Sequence, residues 1–439
     1  MFFMKSNAIS KVTVSGFKSI AEQQTIDIRP LTVLAGINSS GKSSFIQPLL
    51  LLKQTLEAVG DPGTLLLDGP NVKFTSTDQV LNKTQTGISC FGVSIEIHDQ
   101  KKRDIQTDKI ELSFCKKNGR GFELLSQKLC YIGQQIDLNL SLDVEEIKNR
   151  INLLRTLPFA ELTKNPAFHF SVKPSRCFFD IAMYFDDKSQ PRMDVECGLP
   201  ARFVDQIKGF LHLPGLRSSP QRIYQKMGVG DIYPGTFDNY TASVIAKWQE
   251  EKAHELEELA CMLKHMGLTS NIKAEFLNDV QIELQVGRLL TSNKSDCVCI
   301  ADVGVGVSQV LPVLVALLAA RPGQLVYIEQ PEIHLHPRAQ HLLADVLCQA
   351  SNRGVRLVIE THSAILLLAL QTLVAKGKIE KEDVVFHWMQ RNNEGNTTVT
   401  TAELDNNGAY GKWPVDFDDV ALETEAAYLD AIEAKGSQP

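Results

Sequence analysis

The residues best suited to chemistry lie in a glycine-rich segment that begins at Gly36. Residues 36–43 read GINSSGKS and match the pattern G-x-x-x-x-G-K-[ST] without a mismatch. In a loop of this kind the backbone N–H groups cradle phosphates, the amine of Lys42 reaches the β- and γ-phosphates, and the hydroxyl of Ser43 contacts Mg²⁺. We expect the phosphate-binding residues to be Asn38, Ser39, Ser40, Gly41, Lys42, Ser43 and Ser44.

A strand and a helix must flank this loop if it is to bind phosphate. Residues 31–35 are apolar, as a buried strand is, and residues 45–56 are apolar with helical character. This strand, loop and helix order is the one that a phosphate-binding loop requires. A chance turn rich in glycine and serine is the alternative, and both flanking elements argue against it.

Acidic side chains end a second apolar strand, predicted at residues 325–329. The strand finishes at Glu329 and is followed by Gln330 and Glu332. Acids at such a strand end hold Mg²⁺ and orient an attacking water. A solvated strand end is the alternative, but a complete phosphate-binding loop in the same chain favours catalysis. We expect this strand to lie next to the strand of the phosphate-binding loop, with Ser43 and Glu329 holding the metal.

Two weaker signals accompany these motifs. The segment 302–309 (DVGVGVSQ) opens an apolar helix, and free N–H groups at a helix N-terminus attract anions. Ser308 acting as an ordinary helix cap is the alternative. The run 358–363 (VIETHS) ends a further strand with His362, which could reach a γ-phosphate. A lone histidine is more often structural, and its position after the acidic strand is what singles it out.

The composition is that of an ordinary globular protein. The 439 residues are 44% hydrophobic and 22% charged, with a net charge of -7 and no long basic block. Any contact with DNA or RNA must therefore use a local patch. The longest apolar stretch, residues 310–320, is too short to span a bilayer, and no signal peptide is recognisable. We expect a cytoplasmic protein without a membrane partner, whose nine cysteines are all reduced thiols.

The order of elements suggests a head that is interrupted by an insertion. Strand and helix patterns alternate at both ends of the chain, and residues 88–140 contain several predicted strands. We expect one long amphipathic helix at residues 241–266. The expected division is residues 1–85 and 296–400 for the head, 86–295 for a β-rich and helical insertion, and 401–439 for a C-terminal tail.

Taken in order, the motifs resemble those of a known family. The phosphate-binding loop, G-x-G-x-S-Q, E-x-P-E-x-H-L-H-P and T-H-S together resemble the ABC-type ATPases of the SMC, RecF and OLD group. The runs VSGFKSI, LPGLRSSPQRIY and GAYGKWPVDF are similar to bacterial AAA-family ATPases of phage-defence systems. The resemblance implies an α/β fold: a P-loop ABC-type ATPase head, with a mixed sheet flanked by helices, and a long α+β insertion.

The resemblance also implies ATP and Mg²⁺ as cofactors and a role for each motif. Gly306, Ser308 and Gln309 look like the signature that meets the γ-phosphate held by a second subunit, so the resemblance implies a homodimer or a higher homo-oligomer. His362 looks like the switch histidine. His334 and His336 follow the acidic strand, where the chain crosses the dimer interface; a metal-binding histidine pair is the alternative.

The sequence departs from the family pattern at Gln330. The usual pair before proline is Asp-Glu, whereas here it is Glu329-Gln330. A glutamine can orient a water molecule but cannot take its proton, so Glu332 is the candidate base. We therefore expect slow hydrolysis, with Glu329, Gln330, Glu332 and His362 as the catalytic residues.

Three functions are compatible with these motifs. The first is an ATP-gated switch that works with a separate effector, such as a nuclease or a toxin, in anti-phage defence or nucleic-acid surveillance. The second is a nuclease of the OLD type or a DNA repair ATPase, for which the tail offers only the acidic cluster at residues 416–419. The third is a transporter ATPase, which the long insertion and the lack of a membrane segment disfavour. Arg217 and Arg222 are candidates to couple the insertion to the phosphates, or are members of structural salt bridges.

Overall fold

The computed structural model describes residues 8–84, 87, 89–98, 107–117, 119, 121–131, 134–153, 163–165, 167–185, 194–288 and 296–410. Its helices are α1 (Gln47–Glu57), α2 (Val144–Leu153), α3 (Ala201–Gly209), α4 (Thr241–Glu251), α5 (His254–His265), α6 (Val305–Ala319), α7 (Pro337–Asn352) and α8 (Ala364–Ala375). The strands of the first half are β1 (Ala8–Ser15), β2 (Gln24–Asp27), β3 (Leu31–Gly36), β4 (Cys90–His98), β5 (Thr107–Lys116), β6 (Phe122–Tyr131), β7 (Gln134–Leu138), β8 (Phe168–Ser175), β9 (Phe178–Phe185) and β10 (Asp194–Glu196). Those of the second half are β11 (Leu211–Leu213), β12 (Tyr224–Gln225), β13 (Ile272–Asn278), β14 (Gln281–Gly287), β15 (Cys297–Cys299), β16 (Leu325–Glu329), β17 (Arg356–Glu360), β18 (Val384–Arg391) and β19 (Thr397–Ala402).

A mostly parallel sheet lies at the centre of the molecule, in the order β11-β16-β17-β3-β18-β19. Only β19 runs antiparallel to its neighbour. The phosphate-binding loop follows β3, as predicted, but the acidic strand β16 is not the neighbour of β3. The strand β17 lies between them and pairs with both in parallel. The expected adjacency is therefore wrong, because the chain returns from α7 into the position beside β3.

Two hydrophobic cores cover the two faces of this sheet. Side chains of a strand alternate between its faces, and Val33 lies in one core while Leu34 lies in the other. The first core contains α4 to α8, and the second contains α1, α3 and the antiparallel strands of the first half. Burial on both faces explains why the central strands read as continuous apolar runs.

The antiparallel strands join the two sides of the expected boundary at residue 85. The second sheet has the order β2-β1-β4-β5-β6-β7, so β1, which precedes the phosphate-binding loop, pairs with β4. The strand β11, within the expected insertion, pairs with β16 in the central sheet. Residues 86–295 therefore contribute strands to the central sheet and to the second sheet. These pairings join segments that are distant in sequence, so the order of elements along the chain does not reveal them.

Two expectations about local structure are corrected. Cys90 and Cys115 form a disulfide between paired positions of β4 and β5, so the nine cysteines are not all free. Their Cα atoms are 4.0 Å apart although 25 residues separate them in sequence. The long helix expected at residues 241–266 is two helices, α4 and α5, because Lys252 has a φ of 52° and ends α4.

No helix among the described residues is long and apolar enough to cross a membrane.

Candidate functional site

The phosphate-binding loop lines a cleft of about 240 Å³ at the carboxyl end of β3. The ammonium of Lys42 donates hydrogen bonds to the carbonyl oxygens of Gly36 (3.0 Å) and Ile37 (2.9 Å), so it lies across the inside of the loop. Gly36 and Gly41 have φ angles of 144° and 101°, which side chains rarely adopt. The hydroxyl of Ser40 is buried and has no partner among the described residues, as expected of a group that awaits a ligand.

The residues that line the cleft include most of those predicted from the sequence and two cations that were not predicted. Six of the seven predicted residues, Ser39 to Ser44, line it. Asn38 is not among the lining residues. Lys18, from the VSGFKSI run, and Arg391, at the end of β18, add two cations that the sequence did not single out. Arg391 donates to the carbonyl oxygen of Ser39 at 2.8 Å, which ties the loop to the central sheet.

The carboxylate that faces the loop serine is Glu360. The hydroxyl of Ser43 donates to Oε2 of Glu360 at 2.9 Å, and the phenol of Tyr327 donates to Oε1. Burial, together with the negative charge of Glu329, raises the pKa of Glu360 to about 7. Glu360 stands in the VIETHS run, but nothing in its spacing distinguishes it from an ordinary strand residue.

Glu329 is held by β11 and the loop that follows it. Its carboxylate contacts Nε2 of His212 at 3.2 Å and accepts from the backbone N–H of Gly215 at 3.1 Å. Burial pushes the pKa of Glu329 upward, but the hydrogen bonds from His212 and Gly215 outweigh it and hold that pKa below its usual value. The imidazole of His212 is buried and stacks on Tyr327, so the acid is fixed in this orientation.

Glu332 is buried beside the strand that carries His362. Its Oε1 accepts from the hydroxyl of Thr361 at 2.6 Å and from the backbone N–H of His362 at 3.2 Å. Its Oε2 is buried without a partner among the described residues. Burial raises the pKa of Glu332, in spite of these hydrogen bonds and the nearby charge of Arg217. The group has the free oxygen and the raised basicity that a general base needs.

His362 and Gln330 lie at the same edge of the sheet. Burial and the charge of Lys42 lower the pKa of His362, and a hydrogen bond with the backbone of Gly36 opposes this shift. The predicted switch histidine is thus placed at the phosphate-binding loop. Gln330 has a φ of 46°, and its backbone N–H donates to the carbonyl oxygen of Glu360 at 2.8 Å. The edge therefore presents Gln330 next to two acids.

The predicted signature lies outside this cleft. Gly306 is in the first turn of α6 and lines a separate cleft with Gly304. Ser308 and Gln309 are buried, and the hydroxyl of Ser308 donates to the carbonyl oxygen of Val305 at 2.9 Å. Ser308 therefore does not cap the helix, whose N-cap is Gly304. Val305 itself is 52% exposed. The exposed residues of this turn are Gly304 and Val305.

The histidines after the acidic strand are exposed. The carbonyl oxygen of His334 lies close to Gly306, and Nδ1 of His336 accepts from the backbone N–H of Arg338, so His336 caps α7. Within the described part of the chain, no three His, Cys, Asp or Glu side chains are grouped to hold a metal ion. This finding gives no support to the alternative of a metal-binding pair.

Arg217 connects the signature helix to the acidic strand. Its guanidinium is buried and donates to the carbonyl oxygens of Gln309 (3.3 Å) and Glu329 (2.8 Å). Burial lowers its pKa to about 10. Arg222, in contrast, forms an exposed ion pair with Asp302. Of the two arginines singled out by the sequence, one is a buried bridge and the other is a surface salt bridge.

Comparison with known proteins finds a family model that matches part of the chain. Residues 198–369 match the family described as "AAA domain, putative AbiEii toxin, Type IV TA system". The match includes the acidic strand, the signature and His362, and it begins after the phosphate-binding loop. No curated protein matches the chain by sequence.

Solved structures that resemble the chain are heads of SMC proteins. An SMC head bound to the C-terminal winged-helix domain of ScpA has 12% identity and a TM-score of 0.49, over 91% of this chain and 98% of that one. The SMC head domain from Thermotoga maritima has 9% identity and a TM-score of 0.41, over 90% and 100%. An SMC head with an extended coiled coil from Pyrococcus furiosus has 10% identity and a TM-score of 0.47, over 97% and 100%.

The chain has an α/β fold in which a P-loop follows a strand of a mostly parallel sheet. Its residues 198–369 are similar to an AAA-type ATPase domain.

Proposed function

We propose that this chain is a slow ATP-hydrolysing switch that closes as a homodimer around two ATP molecules. The observation that carries the proposal is the convergence of Lys42, Ser43, Glu332 and His362 at one sheet edge, contributed by the loops after β3, β16 and β17. The carboxyl ends of parallel strands are where such folds bind ligands.

The residues present fit ATP with Mg²⁺. The cleft offers a serine hydroxyl and carboxylate oxygens, which are the ligands that Mg²⁺ prefers, and the cations Lys42 and Lys18 suit phosphate. When bound, the metal neutralises charge on the phosphates. Ser43 is the metal-side residue of the loop; the motif pairs it with Glu329, while the carboxylate that contacts it belongs to Glu360.

Hydrolysis then depends on the groups around Glu332. Gln330 orients the water, and the free Oε2 of Glu332 takes its proton as the water oxygen attacks the γ-phosphorus. The bond between the γ-phosphorus and the bridging oxygen breaks, and ADP leaves with that electron pair. Lys42 and His362 stabilise the charge that develops on the transferred group. Glu332 is buried and hydrogen-bonded to Thr361, so water reaches this base with difficulty and turnover is expected to be slow.

Exposed apolar side chains around the cleft support closure against a second subunit. Ile37 is in the phosphate-binding loop, Leu216 adjoins Gly215 at the acidic strand, and Val305 begins the signature helix; they are 53%, 92% and 52% exposed. Such side chains cost free energy in water and gain it when a partner covers them. A homodimer would bring the Gly306 turn of one subunit to the phosphates of the other, with Gln309 behind it.

The effector is proposed to be a separate protein. Among the described residues no three His, Cys, Asp or Glu side chains are grouped to hold a nuclease metal, and the acidic cluster at residues 416–419 lies outside the described residues. ATP binding would reposition the antiparallel sheet and the strands β12 to β15, and hydrolysis would release the effector. Anti-phage defence is the context that the family match supports best, and nucleic acid remains a proposed contact.

The purified chain tests this assignment directly. It should hydrolyse ATP slowly and leave DNA and RNA intact in the presence of Mg²⁺ or Mn²⁺. Metal-dependent cleavage that is lost in an Asp416→Asn, Asp418→Asn double variant would replace the switch with the OLD-type nuclease.

A further inference from the structure

The serine of the phosphate-binding loop contacts an acid that the acidic-strand motif does not contain. The hydroxyl of Ser43 is 2.9 Å from Oε2 of Glu360. Glu360 is the last residue of β17, and its backbone is paired with Leu34 of β3, two residues before Gly36. The carboxylate is thus delivered from the strand adjacent to the loop.

The acid of the motif is occupied elsewhere. One oxygen of Glu329 contacts His212, and the other accepts from the backbone of Gly215. His212 is itself held at its other nitrogen by Asn71, 3.1 Å away. Asn71 belongs to a segment fixed by Gln54 of α1, which accepts from the backbone N–H of Asn71. Turning Glu329 toward Ser43 would break both of its contacts and leave Nε2 of the buried His212 imidazole without a partner.

Tyr327 fixes the orientation of Glu360. Its phenol donates to Oε1, which leaves Oε2 directed at Ser43. Tyr327 is fully buried and cannot donate to a phosphate. Ligands of a metal ion are usually positioned by hydrogen bonds from such supporting side chains.

We infer that Glu360, together with Ser43, holds the Mg²⁺ of bound ATP, and that Glu329 acts as a positioning residue held by His212. The inference deepens the proposed function and rests on it, because it concerns the metal of the same ATP site. A hydroxyl and a carboxylate from neighbouring strands provide two hard oxygen ligands, and the phosphates of ATP and water complete the shell that Mg²⁺ favours.

Calorimetry with and without metal tests this assignment. The dissociation constant of ATP is measured in Mg²⁺ and in EDTA for the wild type and for Glu360→Gln and Glu329→Gln. Both changes replace a carboxyl group by an amide of similar size at paired positions of β16 and β17, so each is the matched control of the other. Electron paramagnetic resonance of Mn²⁺ with ATP gives the metal affinity independently of turnover.

The gain in ATP affinity from Mg²⁺ is the ratio of the ATP dissociation constant in EDTA to that in Mg²⁺. In Glu360→Gln this gain should be at least about tenfold smaller than in the wild type, and Mn²⁺ should bind more weakly as well. Glu329→Gln should keep that gain within about twofold of the wild type. The reverse ranking, or an equal loss in both variants, would overturn the assignment. If Glu360→Gln does not fold, Glu360→Asp replaces it. A smaller gain in ATP affinity from Mg²⁺ than in the wild type then supports the inference, and an unchanged gain contradicts it. A wild type that binds no ATP in either condition would instead remove the proposed function.

Discussion

Glu329 and Glu360 stand at paired positions of the neighbouring strands β16 and β17, yet their carboxylates make different contacts. Glu360 accepts from the serine of the phosphate-binding loop, and Glu329 contacts His212 in the middle of β11. Glu360 thus contacts the phosphate cleft, and Glu329, beside it in the sheet, also accepts from Gly215 in the segment that follows β11. This is the segment that contains Arg217 and leads to the signature helix.

The amine of Lys42 should be essential for nucleotide binding. Replacing it in Lys42→Ala removes the only charge that lies across the inside of the loop among the described residues. We expect the affinity for ATP to fall by at least about 100-fold, as measured by calorimetry. Lys264→Ala, which changes an exposed lysine of α5, should bind as the wild type does. Unchanged affinity in a folded Lys42→Ala protein would refute the assignment of the loop.

Arg217 should matter for stability far more than Arg222. Arg217→Ala leaves the buried carbonyl oxygens of Gln309 and Glu329 without their donor. We expect the free energy of unfolding to fall by about 2–4 kcal/mol in urea titrations. Arg222→Ala removes only an exposed ion pair and should cause no measurable change. Equal effects of the two substitutions would show that the bridge does not form.

Glu332 should control the chemical step. In Glu332→Gln the amide oxygen still accepts from Thr361 and His362, but the group cannot take a proton. We expect kcat to fall by about 100-fold while the affinity for ATP stays within about twofold. Glu257→Gln, an exposed change on α5, serves as the control. If Glu332→Gln turned over ATP at the wild-type rate, another residue would have to be the general base.

The same substitution should change the dependence of stability on pH. Burial raises the pKa of Glu332 above its ordinary value of 4.5, so the folded state keeps a proton that the unfolded state has already lost. The wild type therefore loses stability as the pH rises from 4.5 through the raised pKa, and Glu332→Gln does not. Urea unfolding at a series of pH values gives the difference in free energy of unfolding between the variant and the wild type. Above pH 4.5 this difference should shift in favour of the variant. A difference that is constant with pH, or that shifts in favour of the wild type, would contradict burial of an ionisable carboxylate here.

Local motifs made the phosphate-binding loop predictable. Residues 36–43 are contiguous, and the apolar runs on both sides dictate a strand and a helix. The position of Glu332 and His362 at this sheet edge could also be predicted, because each lies within three residues of the end of a strand that finishes there. In such cases the sequence neighbours of a residue determine its surroundings.

Pairing between distant segments explains what was missed. That β17 would lie between β16 and β3, and so bring Glu360 to Ser43, depends on which strands pair rather than on any local pattern. The disulfide between Cys90 and Cys115 depends on the register of β4 against β5. The break at Lys252 was hidden for another reason, because an apolar face continues through both helices and masks a single left-handed residue.

The shared ATP site is the central claim, and mixing two inactive variants tests it most directly. Lys42→Ala destroys the phosphate-binding loop but leaves the signature intact. Val305→Asp adds a negative charge to the exposed first residue of α6, where an acid suits the helix dipole but repels a partner's γ-phosphate.

Each variant alone should hydrolyse little ATP, and an equimolar mixture should recover about a quarter of the wild-type rate per chain, since half of the dimers would contain one intact site of two. A mixture that stays at the level of the separate variants would contradict a site built from two subunits.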